Sequence, residues 1–218
     1  MTDLAAARRN MVDCQVRPAD VTDLRIITGM LEVPRERFVP AATAALAYLD
    51  LDVPVGEGVP QRKMMKPMVL AKLIQALDLK SSDRVLDVGC GTGYAAALLA
   101  RIAGETIAIE QDVALAETAR AALSSHANVH VVTGPLTEGW AQGAPYDAIL
   151  VQGATEMPPQ ALFGQLKDGG TLVCVLGAGA GAKAMVYRRS GDDTGGRPIF
   201  DAAAAVLPGF VKPPVFAF

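Results

Sequence analysis

The stretch Val85–Tyr94, VLDVGCGTGY, decides the fold. An apolar run ends on Asp87, and Gly89, Gly91 and Gly93 follow at intervals of two before YAAALLARIA, which reads as a helix. Glycine lets the backbone reverse sharply and lets a ligand approach where a Cβ would collide. A plain strand-to-helix turn would account for the glycines but asks for no carboxylate at the strand's end. A dinucleotide fingerprint wants its third glycine three positions after the second, where Tyr94 stands. Asp87 would also repel a pyrophosphate, whereas it would attract a positively charged or hydrogen-bond-donating ligand.

Downstream, the chain alternates between two periods. TIAIE, VHVVTG, YDAILVQGA and GTLVCVLG read as strands, with ALAETARAAL and PPQALFGQLK as helices between some of them. Repeated strand–helix units imply an α/β fold with a doubly wound, mostly parallel, Rossmann-like sheet whose ligands sit at the carboxyl ends of the strands. The last third carries AMVYRRSGDDTGGRPIFD, two runs around a polar turn, which predicts a C-terminal antiparallel hairpin at the sheet's edge. Upstream, TDLRIITGMLEVP spaces Leu24, Ile27, Met30 and Leu31 at helical intervals, and RERFVP and AATAALAY predict short helices joined by proline turns. PMVLAKLIQALDL starts on Pro67 and puts Val69, Leu70, Leu73, Ile74 and Leu77 on one face. Residues 1–78 are therefore expected to form an N-terminal helical cap with a substrate-side segment, and residues 79–218 the core and its hairpin, as one compact unit.

Composition bounds the function. The 218 residues are 51% hydrophobic and 20% charged, enough for one substantial core, and the formal net charge of −3 with scattered Lys and Arg argues against a nucleic-acid partner. No stretch reaches the roughly 18 uncharged apolar residues of a membrane span, and charges interrupt every apolar run near the N-terminus. Cys14, Cys90 and Cys174 are an odd number at wide separations, which fits a reduced, cytoplasmic protein. His126 and His130 lack carboxylate or cysteine company, so no metal site is expected.

Glu110 ends the next strand about twenty residues beyond the glycine loop, where a carboxylate can accept both hydroxyls of a ribose. S-adenosyl-L-methionine meets these requirements, since an amino acid and a sulfonium stand in place of phosphates. The expected cofactor side is Asp87, Val88, Gly89, Cys90, Gly91, Thr92 and Gly93, with Glu110 and Gln111 and the loop Gly134, Pro135 and Leu136. Asp87, the glycines and Glu110 together resemble the cofactor half of class I methyltransferases. NMVDCQVRPADVTDLRIITGMLEVPRERFVP, LAYLDLDVPVGEG, GPLTEGW, YDAILVQGATEMPPQALFGQLKDGGTLVCVLG and RPIFDAAAAVLPGF resemble segments of the protein-L-isoaspartate O-methyltransferases, which repair isomerised aspartyl residues. The resemblance covers nearly the whole chain and implies a helical cap on a doubly wound sheet and methyl transfer to a carboxylate on a protein or peptide.

Two segments depart from that family. Ahead of the proline matching Pro67 it carries Gln-Thr-Ile-Ser and one more residue, with the serine helping to hold the substrate carboxylate; here Met65 takes the serine position and Lys63 the threonine. Where the family places an aspartate on the adenine amino group, Pro135 and Leu136 follow Gly134, and proline offers neither acceptor nor backbone donor. Arg62, Lys63, Met65 and Lys66 are the expected acceptor-facing residues, with no catalytic residue assigned. Three readings stay open: isoaspartyl repair, transfer to a different or small acceptor, and a cofactor-binding regulatory protein that has lost transfer.

Overall fold

The computed structural model describes residues 3–56 and 61–213. Seven strands form one sheet: β3 (Arg84–Val88), β4 (Glu105–Glu110), β5 (Val129–Thr133), β6 (Tyr146–Thr155), β7 (Leu166–Leu176), β8 (Lys183–Ser190) and β9 (Asp193–Asp201), in the order β5-β4-β3-β6-β7-β8-β9. The five from β5 to β7 are parallel, while β8 and β9 add antiparallel, so the expected hairpin is present at the edge. Strand order reverses between β3 and β6, and a crevice opens at such a switch point. A separate ladder pairs β1 (Val53–Pro54) with β2 (Lys63–Met64), an element that periodicity did not announce because each strand is two residues long.

Both faces of β3, β4 and β6 are buried, whereas the edge strand β5 has no buried residue, and alternation divides the buried side chains between two cores. Val85, Ala108, Leu150 and Val173 point into the larger core, while Leu86, Ile107, Ile149 and Leu172 point into the smaller one. The larger core is closed by α3 (Pro67–Ala76) and α4 (Tyr94–Leu99), with Ala119 of α5 (Val113–Ala122). All five apolar positions expected on one face of α3 are buried. On the other face the helix expected over PPQALFGQLK shrinks to α6 (Gln160–Phe163), because Pro158 and Pro159 delay its start and the chain turns into β7 directly after Gly164 and Gln165. Leu136, Leu207 and Phe210 complete that thinner layer.

The cap begins with α1 (Leu4–Met11) and α2 (Leu24–Glu32), each capped by an aspartate that accepts backbone N–H groups, Asp3 and Asp23 respectively. Leu24 departs from its expected inward position: as the first helical residue it is 69% exposed, and Ile26, Ile27, Gly29 and Met30 form the buried stripe instead. The two short helices expected after Pro34 are the 3₁₀ turns Arg35–Phe38 and Ala41–Leu46. Arg35 is wholly buried between cap and core. Its Nε donates to the Ala47 carbonyl at 2.7 Å, its Nη2 donates to the Met65 carbonyl, and its guanidinium lies 4.8 Å from the Tyr94 ring centroid.

A buried carbonyl left without its donor costs roughly 1–3 kcal/mol. Arg35→Met keeps most of the side-chain volume but strands two carbonyls, so it should lower stability by about 2 kcal/mol or more in urea unfolding.

Candidate functional site

The glycine loop is shaped by conformations that other residues resist. Gly89, Gly91 and Gly93 all have positive φ, at 76°, 56° and 99°, and a Cβ on Gly93 would stand 2.7 Å from the Leu123 side chain. The Gly89 and Cys90 N–H groups both donate to the Ile109 carbonyl, at 2.9 and 3.1 Å, which binds the loop to β4. Thr92 donates its hydroxyl to the Phe38 carbonyl at 2.6 Å and so fixes the loop to the cap. Val88 is a buried β3 residue, and burial pushes the Cys90 thiol well up, which makes it a small packing group rather than a nucleophile.

Asp87 is fully buried at the end of β3. Its Oδ1 accepts from Gln152 Nε2 at 2.6 Å, while its Oδ2 has no partner among the described residues. Desolvation raises its pKa to about 7; the Gln152 hydrogen bond opposes the rise and the neighbouring Glu110 adds to it. An unpartnered buried acceptor beside a backbone cradle is a seat for a ligand that brings donors or positive charge.

Glu110 occupies the tip of β4, also wholly buried. Its Oε1 accepts from the Gln111 and Asp112 N–H groups at 2.9 and 3.2 Å. Its Oε2 accepts from the Gly91 N–H at 2.8 Å and from Arg62 Nη2, also at 2.8 Å. Arg62 donates in addition to the Gly89 carbonyl at 3.1 Å, and its buried Nε has no partner among the described residues. Arg62 therefore departs from its expected acceptor-facing position, because the buried carboxylate at the tip of β4 is the anion within its reach. Removing two charges from water costs several kcal/mol per ion, which only good geometry and further hydrogen bonds repay.

The remaining expected residues divide. Gly134 donates its N–H to the Glu110 carbonyl at 3.1 Å, so the loop runs beside the second carboxylate. Pro135 caps the 3₁₀ turn Leu136–Glu138, and Leu136 is buried in the smaller core. Trp140 holds the far side of this loop through its N–H to Gln165 Oε1 at 2.9 Å. On the acceptor side Lys63 is exposed, and Met65 is only 3% exposed with its carbonyl held by Arg35. The Lys66 N–H donates to Asp52 at 2.9 Å, and Lys66 precedes the first residue of α3. Val59 and Pro60, which precede Gln61, lie outside the described residues.

Sequence reasoning missed Gln152 and Leu207. Asp87 pairs with Leu150 in the β3–β6 register, and Gln152 lies two residues further along the same strand, so only the pairing of these two distant strands brings its amide to Asp87. Leu207 packs over the crevice, 3.2 Å from a Cβ built on Gly89 and 2.6 Å from one built on Gly153, and nothing in its local pattern marks it.

A doubly wound sheet with a glycine loop at the tip of one central strand and buried carboxylates at two adjacent tips defines a class I methyltransferase fold, whose cofactor is S-adenosylmethionine. The residues fit that group in kind: Asp87 Oδ2 is an acceptor without a donor, and the positive-φ glycines leave the cradle free of Cβ atoms. Residues 7–199 match the family model described as protein-L-isoaspartate(D-aspartate) O-methyltransferase. The chain is 43% identical over 196 residues to a protein-L-isoaspartate O-methyltransferase 1 from Rhodopseudomonas palustris, covering 88% of this chain and 79% of that one. It is 42% identical over 190 residues to a protein-L-isoaspartate O-methyltransferase from Pelotomaculum thermopropionicum, with 86% and 82% covered. Among solved structures, a protein-L-isoaspartate O-methyltransferase aligns with TM-score 0.80 at 23% identity, over 93% of this chain and 66% of the other. A Plasmodium falciparum structure described as a putative member, in complex with S-adenosyl-L-homocysteine, aligns with TM-score 0.74 at 18% identity, over 95% and 99%. The chain belongs to the protein-L-isoaspartate(D-aspartate) O-methyltransferase family.

The raised pKa of Asp87 has a stability consequence. Between its ordinary value near 3.8 and about 7, the folded chain keeps a proton that the unfolded chain has released, so this group's contribution is present below pH 4 and is lost as pH rises through 7. Asp87→Asn, which stays neutral throughout, should stabilise the ligand-free protein at pH 8 by up to about 4 kcal/mol and by little at pH 4. Thermal unfolding of both proteins across that range checks the sign.

Proposed function

We propose that this chain transfers a methyl group to a carboxylate on a protein or peptide, with isoaspartyl, the acceptor in its relatives' names, as the first candidate. The observation that carries the reading is the buried Asp87 oxygen left without a donor, set between the glycine loop and Glu110 at the switch point of the sheet. S-adenosylmethionine, when bound, supplies a methyl group on a sulfonium, open to displacement by an oxygen nucleophile.

The protein's own residues then have little proton chemistry to perform. A carboxylate acceptor is already ionised near neutral pH, so alignment and exclusion of water matter more than a general base. Asp87 is placed to receive ligand donors, and the glycine loop to let the ligand lie against backbone. Lys63, exposed beside the crevice, supplies positive charge to gather an anionic acceptor. Met64 and Met65, both buried, provide an adaptable apolar wall. The place of action is the cytoplasm, where Cys14, Cys90 and Cys174 remain thiols. Among the described residues no helix is long and apolar enough to cross a membrane.

Met65 favours a second reading, a protein that binds the cofactor without transferring it, since its side chain offers no hydroxyl to an acceptor carboxylate. One hydrogen bond to a charged group is worth about 1.5–3 kcal/mol, or roughly ten- to a hundredfold in rate when it acts in the transition state. Titration calorimetry with S-adenosylmethionine and a methyl-release assay on an isoaspartyl peptide separate the two. Binding with turnover is expected, and Met65→Ser should raise the rate by roughly ten- to a hundredfold. Binding without turnover in both proteins would leave that second reading and transfer to a different acceptor standing.

A further inference from the structure

We propose that the segment Gln61–Met65 is a strap that closes the cofactor crevice from within, its Arg62 holding the carboxylate that a nucleoside sugar requires, so that an S-adenosyl ligand binds only after Arg62 has been ejected. The proposal rests on the methyltransferase reading above. An ionised carboxylate offers about four lone-pair sites. Glu110 spends them on three backbone N–H groups and Arg62, so no site remains for a pair of ribose hydroxyls. Of the four donors, only Arg62 is a side chain able to swing away.

The same guanidinium lies over the glycine loop, with Nη2 standing 3.1 Å from a Cβ built on Gly89. Leu207 covers the other side of Gly89 and packs on Gly153. Among the described residues, a cavity bordered by Arg62, Gln152 and Leu207 and another bordered by Lys63, Gly89 and Gln152 each hold about 10 Å³. That is room for about one water, whereas small-molecule sites enclose roughly 300 Å³ or more.

The strap is fastened unequally. At its C-terminal end the buried Arg35 holds the Met65 carbonyl and the half-buried Asp52 holds the Lys66 N–H. Along its middle Lys63 and Met64 pair with Pro54 and Val53, and towards its N-terminal end the Val55 N–H donating to the Arg62 carbonyl at 3.0 Å is the backbone contact. The closed arrangement leaves Arg62 Nε and Asp87 Oδ2 buried and unpartnered, and opening would return the first to water and offer the second to a ligand donor. Because the strap also carries Lys63 and Met65, displacing Arg62 couples cofactor entry to rearrangement of the acceptor side.

The test is titration calorimetry with S-adenosylhomocysteine on the whole chain and on Arg62→Ala, together with amide hydrogen exchange. Removing the competing occupant should tighten binding at least about tenfold, and S-adenosylhomocysteine should speed exchange at the Val55 amide of the unaltered protein. Equal or weaker binding by Arg62→Ala, or unchanged Val55 protection in the ligand-bound protein, would overturn the strap while leaving the cofactor site intact. No binding by either protein, with Arg62→Ala folded by circular dichroism, would overturn the cofactor reading and the strap with it.

Discussion

Asp87 and Glu110 are carboxylates with no measurable exposure, held at the tips of two adjacent parallel strands, and much of the surrounding structure follows from keeping them there. Burial disfavours the charged form, so each needs donors or a proton. Glu110 takes backbone N–H groups from both sides of the crevice, from Gly91 and from Gln111 and Asp112. Asp87 has a single donor, Gln152, and its raised pKa expresses the shortage. The glycine loop must curl closely enough for the Gly91 N–H to reach Glu110, which explains why its glycines take conformations hostile to side chains.

The cap acts on this site through a few buried polar contacts. Arg35 joins the Ala47 turn to the Met65 carbonyl, Thr92 joins the loop to the Phe38 carbonyl, and Asp52 fixes the backbone at Lys66. The Arg35 and Asp52 bonds tie Met65 and Lys66, just ahead of α3, to residues 30 and 14 positions earlier in the chain. Met65 is thereby set in the core with its backbone constrained, so its identity bears on packing as well as on the acceptor.

The departures from the family's pattern fall on the same crevice. Arg62 reaches Glu110, Met65 is buried in the larger core, and Pro135 leaves no polar side chain at its place in the loop after β5. The thin layer of α6, Leu136, Leu207 and Phe210 on one face allows a side chain such as Leu207 to reach over Gly89, where a longer helix would have kept the chain on the sheet.

What the sequence by itself determined is the part governed by local pattern. The alternation of strand and helix, the apolar face of α3 and the hairpin at the edge all follow from periodicity, and the positions of Asp87 and the glycines at the end of one strand and of Glu110 at the end of the next follow from spacing. Only the tertiary structure decided that Arg62 turns to Glu110, that Gln152 supports Asp87 and that Leu207 fills the crevice. These contacts join residues 48, 65 and more than 100 positions apart. The physical reason is that periodicity reports which face of an element is buried, whereas the partner of a buried charge depends on which distant side chain the packed fold brings within hydrogen-bond reach.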